Sequence, residues 1–475
     1  MHHDIHLGIT GLRRTGKTVF LTSLIYQLKE RGSAGLNAFE NKGVKLLPAK
    51  IVSTDDPLPP FPYEDNLKRL KMPVPAWPER SVSEFACTLE LSYEAGRYAS
   101  KLRKWPLAAL GMARDRGTLR LHLHDYPGEF LLDTPMMGQS YDKWATETIV
   151  RMRLHCSDVA EAYVTRASAI GDATSVASES AVAELRTTYG RYLGVARCRG
   201  MEMLQPGIAL AALGKPFDEV TEWTAGALPF VPLPDQVSAS HPLRSEMKMA
   251  FEKYRTGRVE PFARRLHRNG RQIVLVDILR ILRNGVECFN DTQECLATIM
   301  EAYRRNLAWR AFAQKLPRPV RPRSHISRIV FAATKADHAL KSHRANLRLL
   351  LEDIVRKAEG RLAKGVGPMF HEWFSSLRCT KDRDGTVNGR PAEALLGRLR
   401  GEDGGKPPIP RNPGVVPIQW PQGGQGDEWP FGCKRFAFPE FEPESLRPRD
   451  GVPWQQMNLD ALLWTVLGDC FLVQK

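Results

Sequence analysis

Residues 11 to 18 read Gly11-Leu12-Arg13-Arg14-Thr15-Gly16-Lys17-Thr18, which matches the spacing G-x-x-x-x-G-K-[ST]. Those residue types capture anions. Gly11 and Gly16 allow backbone angles and close approaches that side chains block. Successive backbone N–H groups then form a concavity at the positive end of a helix, where phosphate binds. The candidate phosphate contacts are Gly11, Arg13, Arg14, Thr15, Gly16, Lys17, Thr18 and Val19. Lys17 is expected to reach the β- and γ-phosphates, and the Thr18 hydroxyl to ligate Mg²⁺. The flanks suit the motif. Ile5 to Thr10 is an apolar strand pattern, and Thr18 to Leu28 has helical periodicity.

Two further segments give this loop a context. Asp125-Tyr126-Pro127-Gly128-Glu129 follows Leu119 to His124, a period-2 pattern with leucines on one face. By itself it reads as a turn after a strand. Downstream of a phosphate loop, Asp125 becomes a metal ligand acting through water. Gly128 becomes the residue whose N–H approaches the γ-phosphate, in a loop released when that phosphate is lost. Glu129 stands where a side chain would orient the attacking water. Further along, Ile326 to Ala333 forms an apolar strand that runs into Thr334-Lys335-Ala336-Asp337. In P-loop GTPases the base is read by [NT]-K-x-D. The Asp337 carboxylate would accept from guanine N1–H and the exocyclic amine. Adenine lacks both donors and is rejected for that reason. The Lys335 stem would pack along the base. A short loop after Trp373 is where such proteins read guanine O6 through backbone N–H groups. Ser376 and Leu377 fit by position, although Leu377-Arg378 departs from the common triplet.

The chain resembles the YcjX-like family of bacterial P-loop GTPases, often labelled stress-associated. The residues that carry the resemblance are Gly11–Thr18, Phe61-Pro62-Tyr63, Trp77-Pro78, Asp125–Glu129 with Leu131-Leu132-Asp133, Arg271–Asp277, Phe289-Asn290-Asp291 and Phe331–Asp337. It implies an α/β fold: a P-loop NTPase GTPase-type core with a mainly parallel sheet, a largely helical insertion and a C-terminal extension. It also implies GTP and GDP as substrate and product, with Mg²⁺. It points to a metal ligand just after Trp77-Pro78, with Ser81 first, Ser83 second and Thr54 third on residue type alone. Arg14 matches the family's loop pattern and is the better candidate of the two loop arginines for a cation supplied in cis. Lys17, Arg14, Gly128 and Glu129 are thus the catalytic candidates. Thr18, Ser81 and Asp125 are the metal candidates.

The positioning elements divide the chain into core segments 1–135 and 269–385, a helical insertion 136–268, and an extension 386–475 packing on the core. Residues 33–80 read as Pro-rich and irregular. Trp144–Ala167, Ser178–Leu193 and Glu246–Leu266 read as helices of the insertion, and Gln272–Ile278 as a buried strand. Asp291–Leu316 reads as a long helix with a stripe of Leu296, Ile299, Met300, Tyr303 and Leu307. His343–Leu362 is a further helix, and Gly385–Ala394 reads as a hairpin or an ordered loop. Met457–Val473 is an apolar helix expected to dock on the core.

Composition sets outer bounds. The chain has 475 residues, 43% of them hydrophobic, which is ample for a packed core in more than one substructure. No apolar run reaches the roughly 18–20 residues of a membrane span, and the N-terminus lacks signal-peptide order. The 8 cysteines include no C-x-x-C pair, as expected for a reduced, cytoplasmic chain. The net charge of +15 ranks a protein partner, at the inner membrane surface or in solution, above nucleic acid, for which no module is legible. Competing readings are a nucleotide-gated scaffold with little intrinsic hydrolysis, and an ATPase of the same fold.

Overall fold

A computed structural model describes the chain except residues 1–2, 33–34, 54–55, 74, 80, 97–113, 172–178, 214–219, 221–222, 267, 314–325, 360–367, 388–389, 402–407, 409, 422–435, 444–454 and 472–475. The first strand, β1 (His3–Gly11), runs into the glycine loop, and α1 (Lys17–Tyr26) leaves it. Gly16 turns the chain into the helix at φ 84°, a left-handed conformation that costs a glycine little.

Residues 33–80 are more ordered than their prolines suggest. They contain α2 (Asn37–Glu40), β2 (Val44–Leu46), β3 (Lys50–Val52) and α3 (Tyr63–Leu70). A strand this short shows too few alternations to be read as one. Both short strands pair antiparallel with β4 (Phe85–Gly96). β4 pairs antiparallel with β5 (Arg114–Asp125), with Leu89 opposite Leu121 and Phe85 opposite Asp125, as the leucine alternation requires.

A run of helices follows: α4 (Gly128–Leu132), α5 (Tyr141–His155), α6 (Ser157–Gly171), α7 (Glu179–Cys198), α8 (Gly207–Ala211), α9 (Pro242–Tyr254) and α10 (Glu260–Leu266). The single helix expected over Trp144–Ala167 is broken at Cys156, whose φ of −149° is not helical. The last pair starts earlier than expected, at Pro242, because proline's fixed φ suits a first helical turn.

The chain then returns through β6 (Arg271–Val276), α11 (Ile278–Asn284), α12 (Val286–Ala313), β7 (Arg328–Ala333), α13 (Arg344–Glu359) and β8 (Met369–Trp373). β6 stops short of Ile278 because Asp277 caps α11, its carboxylate accepting from Arg280 N–H at 3.0 Å. On α12, Leu296, Ile299, Met300 and Tyr303 form the expected buried stripe, and the Leu307 side chain lies outside the described residues. β9 (Lys381–Val387) and β10 (Arg390–Leu396) make a hairpin, the first of the two readings of Gly385–Ala394, with β11 (Pro410–Arg411) beside β10. The division expected after residue 385 therefore falls inside β9. The last element, α14 (Leu459–Phe471), buries Leu459, Leu462, Leu463, Val466 and Leu467.

The main sheet has the order β2-β4-β5-β1-β6-β7-β8, with β3 on β4. The pairs β5/β1, β1/β6, β6/β7 and β7/β8 are parallel. Alternate residues of the central strands serve two cores. Ile273, Leu275, Val330 and Ala332 pack with α1, α2, α3 and α14. Val274, Val276, Ile329, Phe331 and Ala333 pack on the other face with α4 to α13. Burial on both faces explains why β6 and β7 read as unbroken apolar runs. It also leaves the carboxyl ends of β1, β5, β6, β7 and β8 along one edge, where a ligand site is expected at the β1/β6 reversal. Among the described residues, no helix is long and apolar enough to cross a membrane.

Candidate functional site

The carboxyl-end loops enclose a cavity of about 380 Å³. That is within the roughly 300–1,000 Å³ of small-molecule sites. The glycine loop lines it from Gly11 to Val19. So do Ser81, Glu129, Thr334, Lys335, Asp337, Ser376 and Leu377. Residues far apart in the chain thus meet at one surface because their strands share one end.

On the phosphate-loop side the polar groups form one chain. Lys17 Nζ lies 2.5 Å from Asp125 Oδ1. Ser81 Oγ donates to Asp125 Oδ2 at 2.7 Å, and Thr18 Oγ1 lies 3.2 Å from Ser81 Oγ. Ser83 makes none of these bonds, and Thr54 lies outside the described residues. Thr18, Ser81 and Asp125 offer only oxygen atoms, the donor set of a hard divalent cation. Gly128 packs against the glycine loop so closely that a Cβ there would lie 2.6 Å from the Gly11 carbonyl oxygen. Arg14 adopts a left-handed backbone at φ 63° and its side chain is exposed. The Arg13 carbonyl accepts from Arg280 at 3.3 Å.

Glu129 is in a setting its motif does not announce. It is buried, and Arg197 of α7 lies 3.6 Å away. A turn further on, Asp133 accepts from Gly207 N–H at 2.8 Å, Ile208 N–H at 2.9 Å and Tyr254 O–H at 2.5 Å. Burial pushes the Asp133 carboxyl up to about 6, against the pull of those donors. The helices therefore grip the segment that follows Gly128 at both of its acidic residues.

The base side is built from the ends of β6, β7 and β8. Thr334 N–H donates to Val276 O at 3.0 Å, continuing the β6/β7 pairing. Lys335 sits at φ 57°, and its Nζ donates to Asp277 Oδ2 at 2.6 Å. Burial alone would raise the Asp277 carboxyl, but Lys335 and Arg280 together outweigh it and hold the group below the usual range. Asp337 is buried, with Oδ2 accepting from Cys379 N–H at 2.7 Å. Ser23 of α1 donates to Ser376 O at 2.6 Å, and Ser375 Oγ to Leu377 O at 2.9 Å. The first bond ties the β8 loop to the phosphate-loop helix, and the second holds the loop's own turn. Asp337, His338 and Cys379 also place ligand atoms within 4.8 Å of one another, though one Asp337 oxygen is already committed to the loop backbone.

Several groups in or next to the cavity wall escaped the motifs. Asp277 ends a stretch singled out in the sequence, and its capping role is legible only once α11 is known. His338 and Cys379 flank read positions. Arg400, Glu440 and Phe441 line the cavity from the C-terminal segment, where Gly and Pro leave no periodic signal. Arg197 is one basic residue among many on a helix.

The parallel sheet, the glycine loop at the end of β1 and the loops after β5 and β7 together define an α/β P-loop protein with a GTPase-type core. A model of the YcjX-like family matches residues 5–471, and the chain belongs to that family. It is 30% identical over 485 residues to the Ras-like GTPase YcjX of Escherichia coli (strain K12), covering 98% of this chain and 95% of the relative. It is 28% identical over 496 residues to the Ras-like GTPase YcjX of Shewanella oneidensis, covering 98% and 94%.

Proposed function

We propose that the chain is a GTP-binding protein that hydrolyses GTP to GDP and phosphate with Mg²⁺ and works as a nucleotide-dependent switch, in a stress-related setting as the family resemblance implies. The observation that carries this reading is the shared cavity of the glycine loop and Asp337. Loop N–H groups and Lys17 receive the phosphates, and Asp337 reads the guanine edge with Lys335 braced by Asp277. Thr18 and Ser81 hydroxyls and the Asp125 carboxylate would hold Mg²⁺, which would supply charge neutralisation for the triphosphate. Gly128 N–H meets the γ-phosphate, and Glu129 orients the attacking water. Chemistry of this kind is mostly positioning and electrostatic stabilisation.

A second reading, a nucleotide-gated scaffold with little intrinsic hydrolysis, gains from the Arg197–Glu129 pair. A carboxylate held by a buried guanidinium is not free to orient water until that contact rearranges. Both readings suit a protein partner, with the inner membrane surface as one place to meet it. Nucleic acid is not part of either.

The test is nucleotide binding by Lys17→Ala, Thr18→Ala and Asp125→Ala. Lys17→Ala removes the cation expected to reach the β- and γ-phosphates, and GTP affinity should fall at least about a hundredfold. The other two should mainly weaken the dependence on Mg²⁺. Unchanged GTP affinity in all three variants would place the phosphate site elsewhere.

A further inference from the structure

The base side of the cavity has a wall that none of the nucleotide motifs provides. Arg400, Glu440 and Phe441 line the same cavity as Lys335, Asp337 and His338. The wall is built as a strap. Leu399 and Phe441 form an antiparallel bridge. Arg400 N–H donates to Glu440 O at 2.9 Å, and Glu442 N–H to Arg398 O at 2.8 Å. Phe441 is buried edge-on against His338, with ring centroids 5.1 Å apart. It also packs with Leu340, Cys379 and Leu395. The strap is therefore seated on the loop that carries Asp337.

Glu440 joins this strap to the core through two guanidinium groups. Arg283 of α11 reaches Oε1 at 2.8 Å, and Arg400 reaches Oε2 at 2.8 Å. Burial alone would raise the Glu440 carboxyl, but Arg283, Lys335 and Arg400 outweigh it and bring it down to about 2. The anion thus persists at neutral pH and keeps hold of Arg400. Arg400 still leaves 52% of its side-chain surface exposed in the cavity wall. A planar cation fixed on one side and open on the other is suited to lie against an aromatic ring.

We infer that Arg400, positioned by Glu440, is a nucleotide-binding residue that contacts the purine half of the ligand rather than its phosphates. This rests on the guanine-nucleotide reading and extends it: the C-terminal segment supplies part of the nucleotide site. Glu440 acts through Arg400 and is a positioning residue.

The experiment is calorimetric titration of GDP and of GTP, at fixed Mg²⁺, into the full chain and into Arg400→Ala, Arg400→Lys and Glu440→Gln. Arg400→Ala should weaken GDP and GTP by the same factor, about five- to tenfold. Arg400→Lys should recover only part of the loss, because an ammonium lacks the planar fork. Glu440→Gln should give a smaller loss of the same kind, equal for both nucleotides. Unchanged GDP affinity in Arg400→Ala overturns the inference. So does a loss confined to GTP, which would put Arg400 on the phosphates. A loss that follows a lowered melting temperature of the ligand-free variant, and that Arg400→Lys fully restores, assigns the strap a structural role and overturns it as well. A wild type that binds no GDP defeats the guanine reading and this inference together. A wild type that binds GDP beside an unaffected Arg400→Ala defeats this inference alone.

Discussion

Asp125 is the residue on which the phosphate side converges. Lys17 and Ser81 each contact one of its two oxygens, and Ser81 links it to Thr18. Lys17, Thr18 and Asp125 were legible because their chemistry demands a fixed type at a fixed spacing, whereas Ser81 came only from the family resemblance, as the first of three candidates. Arg197, Glu440 and Arg400 carry no such constraint, and only the fold brings them to the cavity or its edge. Glu129 lies between these cases: its position follows from the motif, but its pairing with Arg197 does not. Under the proposed mechanism Glu129 acts only when the γ-phosphate is attacked. Glu129→Ala should therefore slow single-turnover GTP hydrolysis by at least about tenfold, while GDP affinity stays within about twofold. If GDP binding collapses instead, Glu129 is a support of the loop and has no part in orienting water.

Among elements, α14 shows what pattern alone can establish. Its five aliphatic positions were readable as one stripe, and all five are buried beneath the sheet beside α1 and α2. The leucine alternation of Leu119 to His124 marks β5 as a strand in the same way, whereas Gly385–Ala394 could be read equally as a hairpin or an ordered loop, and only the structure shows the β9/β10 hairpin. Elements that were missed have physical reasons. β2 and β3 are three residues each and depend on β4 for their pairing. α11 is only seven residues long and is separated from β6 by Asp277 alone, so the strand reading ran on to Ile278. The break at Cys156 has no proline or glycine to mark it. Leu463 is fully buried in the α14 interface. Leu463→Ala should lower the unfolding free energy in urea by about 2–5 kcal/mol, the usual range for such a truncation. A change under about 0.5 kcal/mol would mean that α14 is not docked as described.

At the scale of the whole molecule, the sheet has its two faces covered by different parts of the chain, and its carboxyl edge is left for a ligand. The helices from α4 to α10 share one apolar core with that sheet and hold Glu129 and Asp133. Release of the turn after Gly128 would therefore be felt directly by those helices, which is what a switch requires. Both sides of the nucleotide reading meet in one measurement: direct binding of GDP, GTP, ADP and ATP to the purified chain with Mg²⁺, beside Asp337→Asn. Guanine nucleotides should bind on the order of a hundredfold more tightly than adenine nucleotides, because only guanine can donate to the Asp337 carboxylate. Asp337→Asn should erode most of that difference. Equal or tighter binding of ATP by the unmodified chain would contradict the assignment.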